Sequence, residues 1–437
     1  MIAKLKEKIP ARFRKGDSAR ALSNAAWQMS DRVVRMVVGL VVNAWVAVHL
    51  NPSGFGELST AVALCGTVGM LATLGFENVV VRELVKEPDR TPEILGTAWC
   101  LRMLAGFGTW SLVVAMCMVL YPGDRTLLLV TAITAGSFLV TPLYLIDSFF
   151  QAKAESKRVV LAKLAGFAVT MTSRAVLVYL NAPVYAFAWV FVQEMLVQGL
   201  CMLWAYQQRG DSVWLWRFSR SRAGLLLSTS WRFMIAVGLA GLWNNLDRVM
   251  LSILGSKEQV GIYAVAATIS SAWFFVPLAV IASTLPFIVQ ARQESEAAAL
   301  RRFGQLLRGL VLLALGAIAG AYLLGGTVIT LLYKTDYLPS IPILWIHAFS
   351  GITISLSMAR DSWLVSENLG RVAVYCSAFG ALASFTFCTF LIPTYGAYGA
   401  AFSLIGAQCV TVFVVPMFFK ECRPLMRKVF GALILRA

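Results

Sequence analysis

The sequence predicts an all-α membrane protein with about 12 transmembrane helices in two six-helix lobes around a central cavity. Three observations support this fold class: the composition is strongly apolar, the apolar residues fall in long runs, and Lys and Arg are concentrated in alternate connections between the runs. Hydrophobic residues make up 59% of the 437 residues and charged residues only 14%. A soluble domain has about 45–50% apolar and about 25% charged residues, so this chain is predicted to lie mostly within a bilayer.

Twelve apolar runs follow one another along the chain. The length of each run is similar to the roughly 20 helical residues that cross the hydrocarbon core of a bilayer. The runs lack the apolar–polar alternation of membrane β-strands, and a helix satisfies its own backbone hydrogen bonds within lipid. Each run is therefore predicted to be a helix. The first six helices are assigned to an N-terminal lobe at 1–210 and the last six to a C-terminal lobe at 211–437. The runs fall at 22–49, 57–81, 94–120, 127–150, 159–180, 183–207, 225–251, 261–290, 304–332, 341–364, 372–392 and 399–419.

The basic residues favour one side of the predicted helices. Connections on the side of the N-terminus carry 26 of the 38 Lys and Arg residues, whereas those on the other side carry only Arg125, Lys257 and Lys334. The positive-inside rule then predicts that both termini are cytoplasmic. Because this topology accounts for most of the net charge of +16, the basic balance does not require nucleic acid as a partner.

A weak internal repeat relates the two halves of the sequence. Residues 22–27 resemble residues 226–231, and a short glycine turn around Gly56 is matched by another around Gly261. The offset of 204 to 205 residues spans six runs, so the two copies run in the same direction. This predicts two parallel lobes related by an axis along the membrane normal, an arrangement in which transporters bind substrate between the repeats.

Charged residues within the apolar runs are the candidate functional residues, because a charge near the bilayer centre costs roughly 2.5–3.5 kcal/mol on insertion scales. In the first run, a polar stripe at helical spacing contains Asn24, Gln28, Asp31 and Arg35, with Arg32 beside it. Two interpretations of Arg35 are open. It is either a ligand of an anionic headgroup or, with Asp31, part of a structural ion pair between helices.

The charged residues of all runs form two groups of candidates. Candidates for binding a headgroup or pyrophosphate are Arg35, Arg32, Arg102, Arg174 and Arg232, because the guanidinium fork matches phosphate oxygens. Candidates for coupling or gating are Asp31, Glu77, Glu194, Asp247 and Arg248. The structural alternatives are interhelical polar contacts for Arg174 and Glu194, snorkelling to the interface for Arg102 and Arg232, and interfacial anchoring for Asp247 and Arg248.

The sequence lacks the motifs of several catalytic and cofactor sites. It has no GxxxxGK[ST] phosphate loop, no HExxH and no GxSxG, and His occurs only at positions 49 and 347. The eight cysteines lack CxxC spacing, which argues against a zinc site or a disulfide framework. We therefore expect neither enzymatic activity nor a cofactor or metal site.

Several segments resemble the signatures of bacterial polysaccharide-repeat flippases. The segment AsnProSerGlyPheGlyGluLeuSer at 51–59, with residues 74–84 after it, resembles the first hairpin of that family. Residues 245–263, which begin AsnLeuAspArg, resemble the segment that opens the second half of those proteins, and the loops at 332–340 and 392–403 are also similar. These segments make the chain similar to the Wzx-type family, within the multidrug/oligosaccharidyl-lipid/polysaccharide flippase superfamily.

The resemblance implies a flippase of the bacterial inner membrane that serves the synthesis of cell-surface polysaccharide such as O-antigen. The implied substrate is an undecaprenyl-pyrophosphate-linked oligosaccharide, moved from the cytoplasmic to the periplasmic leaflet by alternating access and driven by a gradient of H+ or Na+. The implied partners are membrane lipids, a polysaccharide polymerase and chain-length proteins.

Two alternatives to this function are open. The first is a drug or lipid II exporter of the same superfamily; the excess of basic over acidic residues in the runs argues against export of cationic drugs. The second is a membrane-embedded polysaccharide polymerase or ligase, against which the short connections opposite the basic side argue.

Overall fold

The computed structural model describes residues 15–367 and 369–433, with side chains from Val34 onward apart from those at 156, 232, 233, 236, 237 and 240. Within these ranges the chain forms α-helices joined by short turns and 3₁₀ segments, and no strand is present. The α-helices are α1 (Lys15–Val68), α2 (Met70–Thr73), α3 (Phe76–Lys86), α4 (Thr91–Leu120), α5 (Arg125–Ala135), α6 (Ser137–Val140), α7 (Leu145–Ala152), α8 (Ser156–Tyr179), α9 (Val184–Gln207), α10 (Arg220–Leu254), α11 (Lys257–Ser271), α12 (Phe275–Glu294), α13 (Glu296–Tyr333), α14 (Ser340–Ser366), α15 (Gly370–Tyr395), α16 (Ala397–Cys409) and α17 (Arg423–Leu433).

The described residues cross the bundle twelve times. Ten stretches of the described residues are long and apolar enough to span a membrane. The first of these contains two crossings, because α1 turns at Asn51, whose φ of 57° is non-helical. The remaining crossing, which is not among those ten stretches, is α10, a helix of 35 residues. The all-α membrane fold predicted from the sequence is confirmed.

Three of the predicted runs are divided by breaks that hydropathy did not reveal. The run 57–81 ends one helix at Val68 and starts another at Phe76, after Leu74 and Gly75 adopt φ of 54° and 63°. In the run 127–150, a 3₁₀ segment (Thr141–Tyr144) contains Pro142, which has no backbone N–H to donate. The run 261–290 breaks between α11 and α12, just before a proline in the first turn of α12.

We call the two ends of the bundle the Lys257 end and the basic end. The Lys257 end contains the turns near residues 51, 121, 181, 255, 335 and 396, and the basic end contains those near 87, 154, 210, 295, 367 and 420. We call α1–α9 the first half and α10–α17 the second half. The predicted lobe boundary at 210/211 lies in the connection between α9 and α10.

The predicted repeat is visible in the packing at the Lys257 end, where two glycines 205 residues apart lie against each other. A Cβ atom on Gly56 would overlap the carbonyl group of Lys257, and a Cβ on Gly261 would overlap the carbonyl group of Pro52. Positions 52 and 257 are 205 residues apart, as are positions 56 and 261. The contact of Gly56 with Lys257 is therefore equivalent to the contact of Gly261 with Pro52 when the two halves are exchanged. Small residues allow this close helix approach in membranes.

In the described part of the chain, hydrogen bonds and ion pairs join the two halves at both ends of the bundle. At the Lys257 end, Lys257 pairs with Glu57 and Asp124, and the Tyr337 hydroxyl donates to the Ala47 carbonyl oxygen at 2.8 Å. At the basic end, the polar contacts come from the 208–219 connection and from the first turn of α10, where Arg222 pairs with Glu87. The structure is therefore closed at the Lys257 end.

Candidate functional site

A cavity of about 190 Å³ lies between the two halves, near the Lys257 end; we call it the interlobe cavity. The first half contributes α1, α8 and α9 to its wall, and the second half contributes α10 and α11. Two basic side chains, Arg174 and Arg248, face it from different halves. The described lining contains no acidic residue, and its other members are Asn43, Val46, Phe55, Leu58, Ser59, Val62, Phe187, Phe191, Ala264 and Thr268.

Arg174 lies on α8 in the middle of a predicted run and stacks against an aromatic residue of α9. Its guanidinium carbon is 5.4 Å from the centroid of the Phe191 ring, a distance at which a cation is attracted to the ring face. Glu194, one turn further along α9, also attracts it electrostatically. These contacts orient Arg174 while leaving it on the cavity wall.

Arg248 and Asp247 are adjacent on α10 but have different surroundings. Arg248 lines the interlobe cavity, and its buried Nε has no hydrogen-bond partner among the described residues. Asp247 is 6% exposed and accepts a hydrogen bond from the hydroxyl group of Tyr263. The Tyr263 ring contacts His347, whose Nδ1 lies 2.8 Å from the Ser270 hydroxyl. Asp247 is thus buried in a polar network rather than exposed at an interface.

A second cavity of about 290 Å³ adjoins the interlobe cavity and shares Val62 and Phe191 with it. Glu194 lies on its wall together with a chain of polar side chains. The hydroxyl of Tyr144 donates to Oε1 of Gln198 at 2.5 Å, and Nε2 of Gln198 donates to Oε1 of Glu194 at 3.1 Å. This chain places a carboxylate beside the interlobe cavity without placing it on the wall that carries the two arginines.

Sequence reasoning missed the ion-pair cluster at the Lys257 end, which we call the Lys257 cluster: Lys257, Glu57 and Asp124. The ammonium nitrogen of Lys257 lies 2.5 Å from Oε1 of Glu57 and 2.5 Å from Oδ2 of Asp124. Burial alone would raise the pKa of Asp124, but hydrogen bonds from Lys257 and the Leu127 amide hold it below its ordinary value. The available signal was Lys257 itself, which is one of three basic residues in the connections on the side opposite the N-terminus.

The other candidates lie elsewhere. Arg35 is half-buried and its guanidinium carbon lies 5.6 Å from the centroid of the Phe167 ring; it is absent from the described linings of the two cavities. Arg102 is 1% exposed and its Nε donates to the Thr73 carbonyl oxygen at 3.3 Å. Glu77 is exposed at the start of α3 and attracts Arg102.

Three further candidates, Asp31, Arg32 and Arg232, have side chains outside the described residues. Of the candidates with described side chains, the fold brings Arg174, Arg248 and Glu194 to the paired cavities. Hydropathy could not have singled out these three, because every candidate interrupts an apolar run in the same way.

Residues 46–342, more than half of the chain, match the family described as "Polysaccharide biosynthesis protein". The chain belongs to this family. One relative of this polysaccharide biosynthesis protein is the probable flippase AglR of Haloferax volcanii, which is 30% identical over 172 residues, or 37% of this chain and 34% of AglR. The match therefore spans about a third of the length of that relative.

Solved structures of transporters share the fold of this polysaccharide biosynthesis protein. An inward-facing multidrug resistance MATE family transporter of the MOP superfamily has a TM-score of 0.72 at 14% identity, over 92% of this chain and 96% of that one. The lipid II flippase MurJ, in an inward closed conformation, has a TM-score of 0.71 at 11% identity, over 94% and 90%. The family match assigns the chain to a polysaccharide biosynthesis family, and the two solved structures confirm the predicted all-α membrane fold.

Proposed function

We propose that this protein is a flippase that moves an undecaprenyl-pyrophosphate-linked oligosaccharide between the leaflets of the bacterial inner membrane, for cell-surface polysaccharide synthesis. The observation that supports this best is the pair Arg174 and Arg248, which face one interlobe cavity from different halves with no acidic residue on its described wall. Arginine forks bind phosphate oxygens in bidentate geometry. Binding one pyrophosphate by both residues would link substrate occupancy to the relative position of the halves.

The size of the interlobe cavity suits the phosphate part of the substrate and excludes the oligosaccharide and the polyprenyl chain. Its volume of about 190 Å³ is below the roughly 300–1,000 Å³ of sites that hold drug-sized ligands. A phosphate group is small enough for it, whereas the oligosaccharide needs the wider space that opens when the halves separate. The polyprenyl chain stays in the bilayer, outside the bundle.

Alternating access supplies the transport step in this proposal. The lobes 1–210 and 211–437 rock about the interlobe cavity, as repeats of other transporters do. The positive-inside rule places the basic end and both termini in the cytoplasm. The Lys257 end then faces the periplasm, and its closed state is the one that receives substrate from the cytoplasmic leaflet.

The driving force in this proposal is a gradient of H+ or Na+. Glu194 is the favoured coupling residue, because it lies in the adjoining cavity and attracts Arg174. Neutralisation of Glu194 by an ion would release Arg174 to bind phosphate. Asp31, Glu77 and Asp247 are retained as further candidates for coupling, and Arg35, Arg32, Arg102 and Arg232 for headgroup binding. A polysaccharide polymerase and chain-length proteins are the expected partners in the membrane.

The test measures the sidedness of lipid-linked oligosaccharide in a strain lacking this protein, with wild type or variants restored. A charge-assisted hydrogen bond contributes about 1.5–3 kcal/mol, so Arg174→Gln and Arg248→Gln should each reduce transport about tenfold or more. Arg125→Gln is the matched control, because Arg125 is exposed at the same end and outside the described cavity walls.

Three outcomes would overturn the proposal. Full transport by Arg174→Gln and Arg248→Gln at normal expression would remove the cavity as the phosphate site. Unpolymerised repeats accumulating on the periplasmic leaflet of the deletion strain would favour polymerisation, and unchanged oligosaccharide with altered export of lipid II or drugs would favour the exporter.

A further inference from the structure

A third cavity, separate from the two cavities described above, lies at the basic end between α13 and α17 and has a volume of about 610 Å³. We call it the basic cavity. Its wall carries four basic side chains and none that is acidic among the described residues; its lining is Leu300, Arg301, Gly304, Arg308, Pro424, Arg427, Lys428 and Gly431. It shares no lining residue with the interlobe cavity.

Helical periodicity in both segments builds the wall of the basic cavity. On α13, the four lining positions 300, 301, 304 and 308 are separated by three or four residues or are adjacent, so they share one helix face. On α17, the positions 424, 427, 428 and 431 repeat the same spacing. The glycines keep the two faces open, since a Cβ on Gly304 would already lie 3.2 Å from Cδ of Lys428.

The opposite face of α17 is apolar and fixes this helix to the second half. Leu425 and Val429 are buried in one hydrophobic cluster with Phe303 and Leu307 of α13. Burial of this face orients the basic face of α17 toward the basic face of α13. The concentration of positive charge is thus a consequence of packing, beyond the general excess of Lys and Arg at this end.

The four cations of the basic cavity lack counter-charges within the described part of the chain. No ion pair there engages Arg301, Arg308, Arg427 or Lys428. By contrast, Arg292 at the same end pairs with Glu367 at 2.7 Å. Like charges that face each other across a cavity repel, so an anion from outside the chain would stabilise the contact between α13 and α17.

We propose that the basic cavity binds the phosphate groups of an anionic phospholipid, best one with two phosphates such as a cardiolipin. Basic pockets between membrane helices bind such headgroups. One turn beyond Arg308, α13 becomes apolar and exposed, with Leu312 at 55% and Leu315 at 43% exposure. Acyl chains of a lipid held at Arg308 would lie along this surface, which a free phosphate ion would leave uncovered.

The test measures lipid binding to the purified full-length protein by native mass spectrometry, with tetraoleoyl-cardiolipin, dioleoyl-phosphatidylglycerol or dioleoyl-phosphatidylcholine. The double variant Arg301→Gln/Arg427→Gln should bind cardiolipin about tenfold more weakly than wild type, and cardiolipin should raise the Tm of wild type but not of the variant. The matched control is Arg217→Gln/Arg371→Gln, which removes two exposed basic residues from the same end and should bind as wild type.

A third variant separates shape from charge. Gly304→Leu places a bulky side chain against Lys428, between the two basic faces, without changing the charge, and it should also weaken cardiolipin binding. The proposal is overturned if the two double variants lose cardiolipin equally, because binding would then follow the net charge of the basic end. It is also overturned if inorganic pyrophosphate raises the Tm as much as cardiolipin does, since the ligand would then be a free anion.

Discussion

Replacing Lys257 with Gln would leave Glu57 and Asp124 facing each other at the closed Lys257 end without the ammonium group that joins them. Both carboxylates belong to the first half and Lys257 belongs to the second, so the variant weakens a contact between halves that the open state cannot make. We expect this variant to populate the open state more than wild type does.

The magnitude follows from the exposure of the three side chains in the Lys257 cluster. Lys257 is 38% exposed, so solvent screens its two ion pairs, whereas Glu57 and Asp124 are 13% and 23% exposed. Half-exposed pairs of this kind contribute about 1 kcal/mol each. The loss of both, about 2 kcal/mol, changes the ratio of open to closed protein about 30-fold.

Labelling of a cysteine in the interlobe cavity measures this ratio. Ser59 lies on the cavity wall, so Ser59→Cys, in a variant without the eight native cysteines that still transports, should react with a membrane-impermeant maleimide in intact cells only when the Lys257 end opens. Lys257→Gln should raise the labelling rate by up to about 30-fold. Equal labelling rates for Lys257→Gln and its parent would refute the reasoning, since the Lys257 cluster would then contribute nothing to closure.

Two further predictions concern the same end. Gly261→Ala should prevent closure more severely than Lys257→Gln, because its Cβ would overlap the Pro52 carbonyl group; the maleimide reaction should then be fast and transport lost. Asp124→Asn should raise the labelling rate only about fivefold, since one ion pair of about 1 kcal/mol is removed. Because the pKa of Asp124 is held below its ordinary value of 3.8, its contribution to closure is complete above that value and is lost as the pH falls through the lowered pKa. The ratio of the labelling rates of Asp124→Asn and its parent should therefore be constant between about pH 5 and pH 8, since the thiolate that reacts with maleimide forms to the same extent in both.

Controls for these predictions come from the same chain. Gly108→Ala introduces the same methyl group at a helical glycine with no neighbouring atom within 4 Å, so it should transport normally. If Gly261→Ala also closes and transports normally, the glycine contact is not required. A steep change in the Asp124→Asn to parent rate ratio near pH 6 would contradict the lowered pKa of Asp124.

Residue type and position in an apolar run predicted some residues of the candidate site but did not separate them from residues that lie elsewhere. Arg174 and Glu194 were selected because they interrupt apolar runs, and the structure brings both to the paired cavities. Arg102 was selected by the same criterion, yet its side chain is buried in the first half against the Thr73 carbonyl group. Both arginines interrupt an apolar run in the same way, so the sequence pattern does not distinguish a cavity wall from a packed interior.

Hydropathy, charge asymmetry and the repeat offset determined the number of crossings, their alternation and the equivalence of the two halves. Hydropathy and charge are properties of each stretch of sequence, and the repeat offset compares two stretches of similar length. The bilayer imposes the same requirements for hydropathy and charge on any helix that crosses it. Only the tertiary structure decided which distant residues come together: Lys257 pairs with Glu57, Arg174 and Arg248 line one cavity, and the basic face of α17 lies opposite that of α13. Such meetings depend on the rotation and depth at which each helix packs against its neighbours, and on breaks such as the one at Leu74 and Gly75, and no stretch of sequence specifies these by itself.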